Sequence, residues 1–168
     1  MSGALSTARA DLRLRFATED DVDLILGFIR GLADYEELAH EVVADADTLR
    51  ASLFGARPAA EVLVAELDGK PAGFAVFFPS FSTFLGKAGL YLEDLFVLPD
   101  LRGRGVGREL LACLARLALE RDCGRLEWSV LDWNEPAIRF YQRLGAEAMD
   151  GWTVNRVTGA PLAALAAH

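Results

Sequence analysis

The stretch YLEDLFVLPDLRGRGVG, from Tyr91 to Gly107, decides the fold of this chain. Its first half is apolar except for the adjacent carboxylates Glu93 and Asp94, and it predicts a buried strand over Leu90–Leu98. Its second half is rich in glycine and arginine, and the leucines that follow recur at helical spacing over Val106–Arg121. A strand, a glycine-rich turn and a helix in this order are typical of a site that binds phosphate on backbone N–H groups.

The glycine-rich turn reads RGRGVG at residues 102–107. Glycine permits positive φ and a close approach to a ligand, and the first turn of a helix attracts anions. Arg102, Arg104 and Arg108 add positive charge in an otherwise acidic chain. The turn lacks the Gly-Lys-Ser/Thr ending of a Walker loop, and Arg108 stands where a dinucleotide fingerprint requires glycine. The turn therefore predicts another phosphate-bearing ligand, unless its glycines serve only the geometry of the connection.

Length and composition restrict the class of protein. The chain has 168 residues, 52% of them hydrophobic, so we predict one soluble domain over residues 11–168 after a flexible tail at residues 1–10. The net charge of −8 argues against a nucleic-acid partner and is compatible with a cationic substrate, although solubility alone also accounts for it. No apolar stretch predicts a membrane span. The two cysteines predict neither a metal site nor a disulfide framework, and we expect a cytoplasmic location.

The remaining pattern predicts a mixed α/β fold, with a central, mostly antiparallel sheet flanked by helices. Asp68-Gly69 between two apolar runs is a strong hairpin signal, and Thr18 with Asp21 resembles the capping box of a first helix. The other predicted elements are the strands Leu12–Ala17, Glu61–Leu67, Pro71–Phe78, Leu126–Leu131, Glu147–Met149 and Trp152–Val157, the helices Asp47–Phe54 and Asn134–Leu144, and a small C-terminal helix.

Two motifs carry a resemblance to a known superfamily. Arg102-x-x-Gly105-x-Gly107 after an apolar strand resembles the coenzyme A pyrophosphate loop of the GNAT N-acetyltransferases. The run NEPAIRFYxxxGA at residues 134–146 resembles the second cofactor motif of that superfamily. YLEDLFV at 91–97 and WNEP at 133–136 are similar to its diamine (spermidine/spermine, thialysine) acetyltransferase branch. The resemblance extends from about Arg15 to the C-terminal helix, and it implies a sheet that splays open.

This resemblance implies that acetyl-CoA binds in the gap between the splayed strands. The pantetheine arm would pair with the strand over Leu90–Leu98 as a missing strand would, and the phosphates would lie on the glycine-rich turn. The cofactor-binding residues implied in this way are Leu95, Phe96, Val97, Arg102, Gly103, Arg104, Gly105, Val106, Gly107, Arg108, Asn134 and Pro136.

Acetylation of an amine requires a base, because an alkylammonium with a pKa of about 10.4 is charged at neutral pH, and an acid for the departing thiolate. The resemblance favours Glu93 as the base, directly or through a water, although it and Asp94 also fit a solvated strand position. It favours Tyr141 as the acid, although Tyr141 also fits a buried aromatic position on its helix. Because Cys113 lies among inward-facing leucines and Cys123 has no evident base, we predict direct attack in a ternary complex.

The resemblance places the acceptor site at charged and aromatic residues, and strand alternation predicts that two of them, Glu93 and Asp94, point to opposite faces. The implied substrate-binding residues are Tyr35, Glu36, Glu93, Asp94 and Asp150.

The acceptor itself stays open at this point. Where polyamine enzymes have an acidic residue and a tryptophan, this chain has Ser82 and Phe84, so a diamine or a thialysine-like amino acid is at least as well supported as a polyamine. Acetylation of proteins or peptides is one alternative function, and a non-catalytic acetyl-CoA sensor is another. The branch also implies a homodimer.

Overall fold

The computed structural model of the chain describes residues 4, 5, 7 and 9–167. These residues group into two compact units, one that ends at Ser129 and one that begins at Val130. The single domain expected over residues 11–168 stays a prediction. Of the predicted tail, residues 1–3, 6 and 8 lie outside the described residues, whereas Ala4 and Leu5 pair with a neighbouring strand.

The elements largely follow the predicted order. The strands are β1 (Ala4–Leu5), β2 (Leu12–Phe16), β3 (Glu61–Leu67), β4 (Lys70–Ser82), β5 (Lys87–Val97) and β6 (Leu126–Trp128). The helices are α1 (Val22–Tyr35), α2 (Ala46–Phe54), α3 (Val106–Glu120), α4 (Glu135–Arg143) and α5 (Gly159–Ala166). A 3-10 turn over Glu19–Asp21 leads into α1, and the Thr18 N–H donates to the Asp21 carboxylate at 2.8 Å, which confirms the predicted capping arrangement.

The strands described in the first unit form one sheet in the order β1-β2-β3-β4-β5-β6. Neighbouring strands are antiparallel except for β5 and β6, which confirms the predicted mixed, mostly antiparallel sheet. The parallel pairing joins Leu90–Leu92 only to Leu126–Trp128, whereas β5 continues to Val97. The sheet therefore opens beside the second half of β5, at the place where the resemblance predicts a splay.

Helices α1 and α3 pack on this sheet through apolar stripes at helical spacing. On α1, Ile25 and Phe28 are buried against Phe74 and Phe96 of the sheet. A Cβ at Gly31 would come within 2.8 Å of the Phe96 ring, so glycine lets α1 lie close to β5. Helix α3 packs against β3, β4 and β5. This packing fixes both helices relative to β5, the strand that carries the predicted site.

The prediction of two strands after α4 is wrong. The structure describes all of residues 144–158, and neither Glu147–Met149 nor Trp152–Val157 forms a strand there. Met149, Trp152 and Val154 are 65%, 76% and 81% exposed. Alternating apolar residues predict a strand only where a neighbouring strand pairs with it and a core covers one face, and this segment has neither. The strand predicted over Leu126–Leu131 also ends early, at Trp128.

Candidate active site

A β-bulge lies in β5 at the predicted base. Val76 of β4 faces Asp94, and the next residue, Phe77, faces Leu92, so Glu93 is an extra residue without a partner on β4. A bulge of this kind redirects the side chains around it. Leu92 and Asp94, two positions apart, therefore lie on opposite faces of the sheet. The simple alternation that predicted opposite faces for Glu93 and Asp94 does not hold at this point of β5.

Three carboxylates interact electrostatically at this part of β5. Asp94 is half-buried, and Glu93 is exposed. Burial first, and then repulsion by the neighbouring carboxylates Glu93 and Glu36, raises the pKa of Asp94 to about 6. Burial also raises the pKa of Glu36. A bound cation would relieve the repulsion among these groups and favour their charged forms.

Tyr35 and Glu36, the predicted acceptor residues of the first helix, stand at its C-terminal end. Tyr35 is the last residue of α1, and Glu36 follows as its C-cap. The Glu37 N–H donates to the Asp34 carbonyl at 3.2 Å, and the Leu38 N–H donates to the Ala33 carbonyl at 2.8 Å. Such paired bonds end a helix in a defined way. The structure thus brings Glu36 close enough to Asp94 to act on its pKa.

The open edge of β5 offers backbone groups on the side away from β4. The Leu98 N–H donates to the Ala72 carbonyl at 2.9 Å, across the β4 side. Hydrogen-bonding directions alternate along an antiparallel strand. The backbone N–H and C=O of Phe96 therefore point towards β4, and those of Leu95 and Val97 point towards the opening. The Val97 carbonyl accepts a hydrogen bond there, at 3.0 Å, from Arg102 Nε.

The predicted phosphate loop joins this edge to α3. Gly103 and Gly105 have φ angles of 73° and 83°, a region that disfavours side chains. Gly105 is the N-cap of α3, and no side chain caps the helix there. The N–H groups of the first turn are thus left to an external acceptor, at the positive end of the helix dipole.

Two residues that hold this loop were missed by sequence reasoning. The Arg9 guanidinium, within the predicted tail, donates to the backbone carbonyl of Arg104. The Arg104 guanidinium lies 3.7 Å from the Asp68 carboxylate in the turn between β3 and β4. Arg9 belongs to no motif, and Asp68 belongs to the predicted hairpin turn, but both lie far from the loop in sequence, so no local signal links them to it.

The other predicted site residues belong to the second unit. The Asn134 side chain accepts from the Ala137 N–H at 3.3 Å and caps α4, with Pro136 in the first turn as predicted. Tyr141 lies on α4, with its ring centroid 5.3 Å from that of Phe140. Asp150 is exposed in a turn after the helix.

Other chemistries find little support in the described part of the chain. Burial raises the pKa of the Cys113 thiol, which makes it a poor nucleophile. No group of metal-binding side chains comes together among residues 9–167. None of the described helices has the length and apolar character that a membrane crossing requires.

An open pocket of about 250 Å³ borders α1, lined by Arg30, Asp34, Ala39 and Val42, and it does not include the predicted acceptor residues.

Known proteins of similar fold and sequence include acetyltransferases that act on small amines by name. The fold is similar to that of an integron cassette protein from the mobile metagenome of V. cholerae, with a TM-score of 0.79 and 26% identity over 94% of this chain and 99% of that one. Thialysine N-epsilon-acetyltransferase of Mus musculus is 36% identical over 94% of this chain and 98% of its own length. L-ornithine N5-acetyltransferase of Arabidopsis thaliana is 32% identical over 91% of this chain and 87% of its own length.

An opened mixed sheet, with an uncapped helix start beside its opening, suits a phosphate-bearing ligand held against a strand edge. A family model described as the acetyltransferase (GNAT) family matches residues 28–146. The chain belongs to the GNAT family of acetyltransferases, which confirms the resemblance and identifies the protein as an N-acetyltransferase.

Proposed function

We propose that the chain transfers the acetyl group of acetyl-CoA to a primary amine of a small cationic molecule, by direct attack in a ternary complex. One observation supports this acceptor class above others: the half-buried Asp94 carboxyl interacts electrostatically with the carboxylates Glu93 and Glu36. An ammonium group bound among them would offset their repulsion. The names of two relatives support the same class, since thialysine and L-ornithine both carry a terminal amine.

The described residues fit acetyl-CoA, the acetyl donor of GNAT acetyltransferases. The first-turn N–H groups of α3, from Val106 to Arg108, would hold the diphosphate, with Gly103 and Gly105 allowing its close approach. The backbone groups of Leu95 and Val97 would pair with the pantetheine arm at the opening of the sheet. Arg102, Arg104, Gly107, Asn134 and Pro136 are proposed to complete the acetyl-CoA site. Phe96, whose backbone groups face β4, is not proposed to pair with the arm.

The proposed chemistry needs a base that takes a proton from the acceptor ammonium and an acid that gives a proton to the departing thiolate. Glu93 takes a proton from the acceptor ammonium, directly or through a water, and Asp94 holds the charged amine before this step. The neutral nitrogen then attacks the thioester carbonyl, so that a C–N bond forms while the C–S bond breaks. Tyr141 gives its phenolic proton to the departing thiolate, and it regains the second proton that the nitrogen loses as the amide forms, directly or through a water. Tyr35, Glu36 and Asp150 bind the rest of the acceptor.

Replacing Gly105 by alanine is expected to weaken acetyl-CoA binding about tenfold, measured as Kd by titration calorimetry. The reason is its φ of 83°, where a Cβ is strained, so the loop must shift away from the geometry that presents the N–H groups of α3. A Cβ at Gly105 would also lie 3.3 Å from Nη1 of Arg9.

Gly86 provides a matched control for this strain. It has a φ of 64° in the turn between β4 and β5, with nothing within 4 Å of a Cβ. Gly86→Ala is expected to lose about 1 kcal/mol of stability, as Gly105→Ala does, and to bind acetyl-CoA like the wild type. Equal binding by both variants would remove the loop from the phosphate site.

A panel of acceptors tests the proposed function. The rate of thiol release from acetyl-CoA would be measured with thialysine, ornithine, short diamines, spermidine, spermine and lysine-containing peptides. We expect the largest kcat/KM with a small diamine or amino acid. A larger kcat/KM for peptides would indicate a protein acetyltransferase, and tight acetyl-CoA binding without turnover would indicate a sensor.

We also propose a homodimer that works in the cytoplasm. The exposed apolar side chains Met149, Trp152 and Val154 of the second unit suit a surface that a second copy covers. The free cysteines Cys113 and Cys123 suit a reducing compartment. Light scattering during gel filtration is expected to give twice the chain mass of 18.3 kDa, and Trp152→Glu is expected to shift it towards the monomer. A wild-type mass of one chain would contradict the dimer.

A further inference from the structure

Arg102 lies in the glycine-rich loop, but its side chain packs against the end of α1. The guanidinium carbon lies 4.4 Å from the ring centroid of Tyr35 and 5.6 Å from that of Phe96. Its Nε donates to the Val97 carbonyl at 3.0 Å. One side chain thus joins the last residue of α1, a core ring of the sheet and the end of β5.

Without such a cation, the charges and the backbone conformation at the end of α1 would destabilise its last turn. Its last turn contains no basic residue, and Asp34, Glu36 and Glu37 place carboxylates at the negative end of the helix dipole. Glu37 also has a φ of 60°, at a position that glycine usually occupies. Charge and backbone conformation therefore both favour displacement of this segment, and the Arg102 guanidinium is a cation stacked on its last turn.

We infer that Arg102 is a positioning residue for the acceptor amine. Its side chain holds Tyr35 and Glu36 at a fixed distance from Asp94. The inference rests on the proposed function, because it assumes that the amine binds between Glu36 and Asp94. The backbone of Arg102 remains part of the proposed phosphate loop, whereas its guanidinium serves the acceptor side.

The consequence for binding follows from chain connectivity. Glu36 is the residue after Tyr35, so a shift of the last turn of α1 moves the Glu36 carboxylate relative to β5. An ammonium held between two carboxylates loses affinity when their separation changes. The proposed diphosphate site, on the first turn of α3, does not depend on that separation. Loss of the Arg102 side chain should therefore affect the acceptor more than acetyl-CoA.

Steady-state kinetics with thialysine as acceptor separates the two roles. Arg102→Ala is expected to raise the acceptor KM about tenfold and to change the acetyl-CoA Kd by less than about threefold. Arg108→Ala, at an exposed arginine in the first turn of α3, is expected to do the reverse. Arg102→Lys keeps the charge but lacks the planar group and Nε donor, so most of the KM defect should persist.

A Tyr35→Leu background tests the contact itself. There, Arg102→Ala is expected to raise the acceptor KM by less than about twofold, because the ring that it stacks on is already absent. Full additivity of the two replacements would overturn the inference, as would a raised acetyl-CoA Kd with an unchanged acceptor KM in Arg102→Ala.

Hydrogen exchange provides a readout that needs no turnover. The Glu36 and Leu38 N–H groups donate to the Leu32 and Ala33 carbonyls, so their exchange reports on the end of α1. Arg102→Ala should accelerate exchange at both amides, and Arg108→Ala should not. Unchanged exchange overturns the inference. If wild-type protein releases no thiol with any amine, the proposed function fails, while accelerated exchange still supports the positioning of α1.

Discussion

Replacing Asp94 by asparagine is expected to lower kcat/KM for the acceptor about 100-fold at pH 8, because the proposed site loses a half-buried charge that pairs with the ammonium. The wild-type profile of kcat/KM should fall below a pH of about 6, where the Asp94 carboxyl takes up a proton. This inflection should be absent in Asp94→Asn. An inflection that persists would assign it to another group.

The same replacement is expected to stabilise the fold. The folded-state pKa of Asp94, about 6, lies above the ordinary value of 3.8. The contribution of this carboxyl to stability is therefore fully present below about pH 4 and is lost as the pH rises through about 6. The asparagine side chain carries no charge, so the variant should gain about 1 to 2 kcal/mol at pH 8, allowing for screening at a partly exposed site, and almost nothing at pH 4.

Thermal unfolding at both pH values measures this gain, with an expected increase in Tm of about 2 to 8 °C at pH 8. Asp23→Asn, at an exposed carboxylate in the first turn of α1, is the control. It should leave kcat/KM unchanged and should not raise Tm, because it removes a charge that favours the start of the helix. A gain in stability together with a loss of turnover is the combination that a functional carboxylate predicts. A lower Tm at pH 8, or an unchanged kcat/KM, would contradict the proposed role of Asp94.

Replacing Tyr141 by phenylalanine is expected to lower kcat about 100-fold, because the departing thiolate loses its proton donor. The acetyl-CoA Kd should change by no more than about threefold, since the ring remains and only the hydroxyl is removed. Stopped-flow thiol release gives kcat, and calorimetry gives the Kd.

Tyr91→Phe is the control for this change, because it also removes a tyrosine hydroxyl. The Tyr91 hydroxyl lies 2.7 Å from the Ser129 hydroxyl, and neither residue has a proposed role in the reaction. Its kcat should stay within about twofold of the wild type. A Tyr141→Phe variant with wild-type kcat would remove Tyr141 from the acid role and leave water as the proton source.

Sequence reasoning succeeded where the pattern is local. The apolar run before the glycine-rich turn, the leucine stripe after it and the Asp68-Gly69 turn each report their own backbone conformation. It failed at Trp152–Val157, because a strand depends on a partner that the segment itself does not encode. The splay of the sheet was predicted from the family resemblance alone, because no residue of β5 indicates where β6 stops pairing.

The candidate site shows the same division. The positions of Glu93 and Asp94 could be read from the sequence, but the bulge between β4 and β5 could not, because it depends on the register of two strands. The contacts of Arg9 and Arg102 join residues far apart in the chain or turn a side chain away from its motif. Such contacts follow from tertiary packing, which periodicity and spacing do not encode.

Product analysis with thialysine as acceptor is a direct test of acetyl transfer to a small amine. Purified protein would be incubated with acetyl-CoA and thialysine, with free thiol and N-acetylated product both quantified by mass spectrometry. We predict equal amounts of the two, increasing with time and saturating with both substrates. Thiol without acetylated amine, or no product with thialysine, ornithine or any diamine despite acetyl-CoA binding, would contradict acetyl transfer to a small amine.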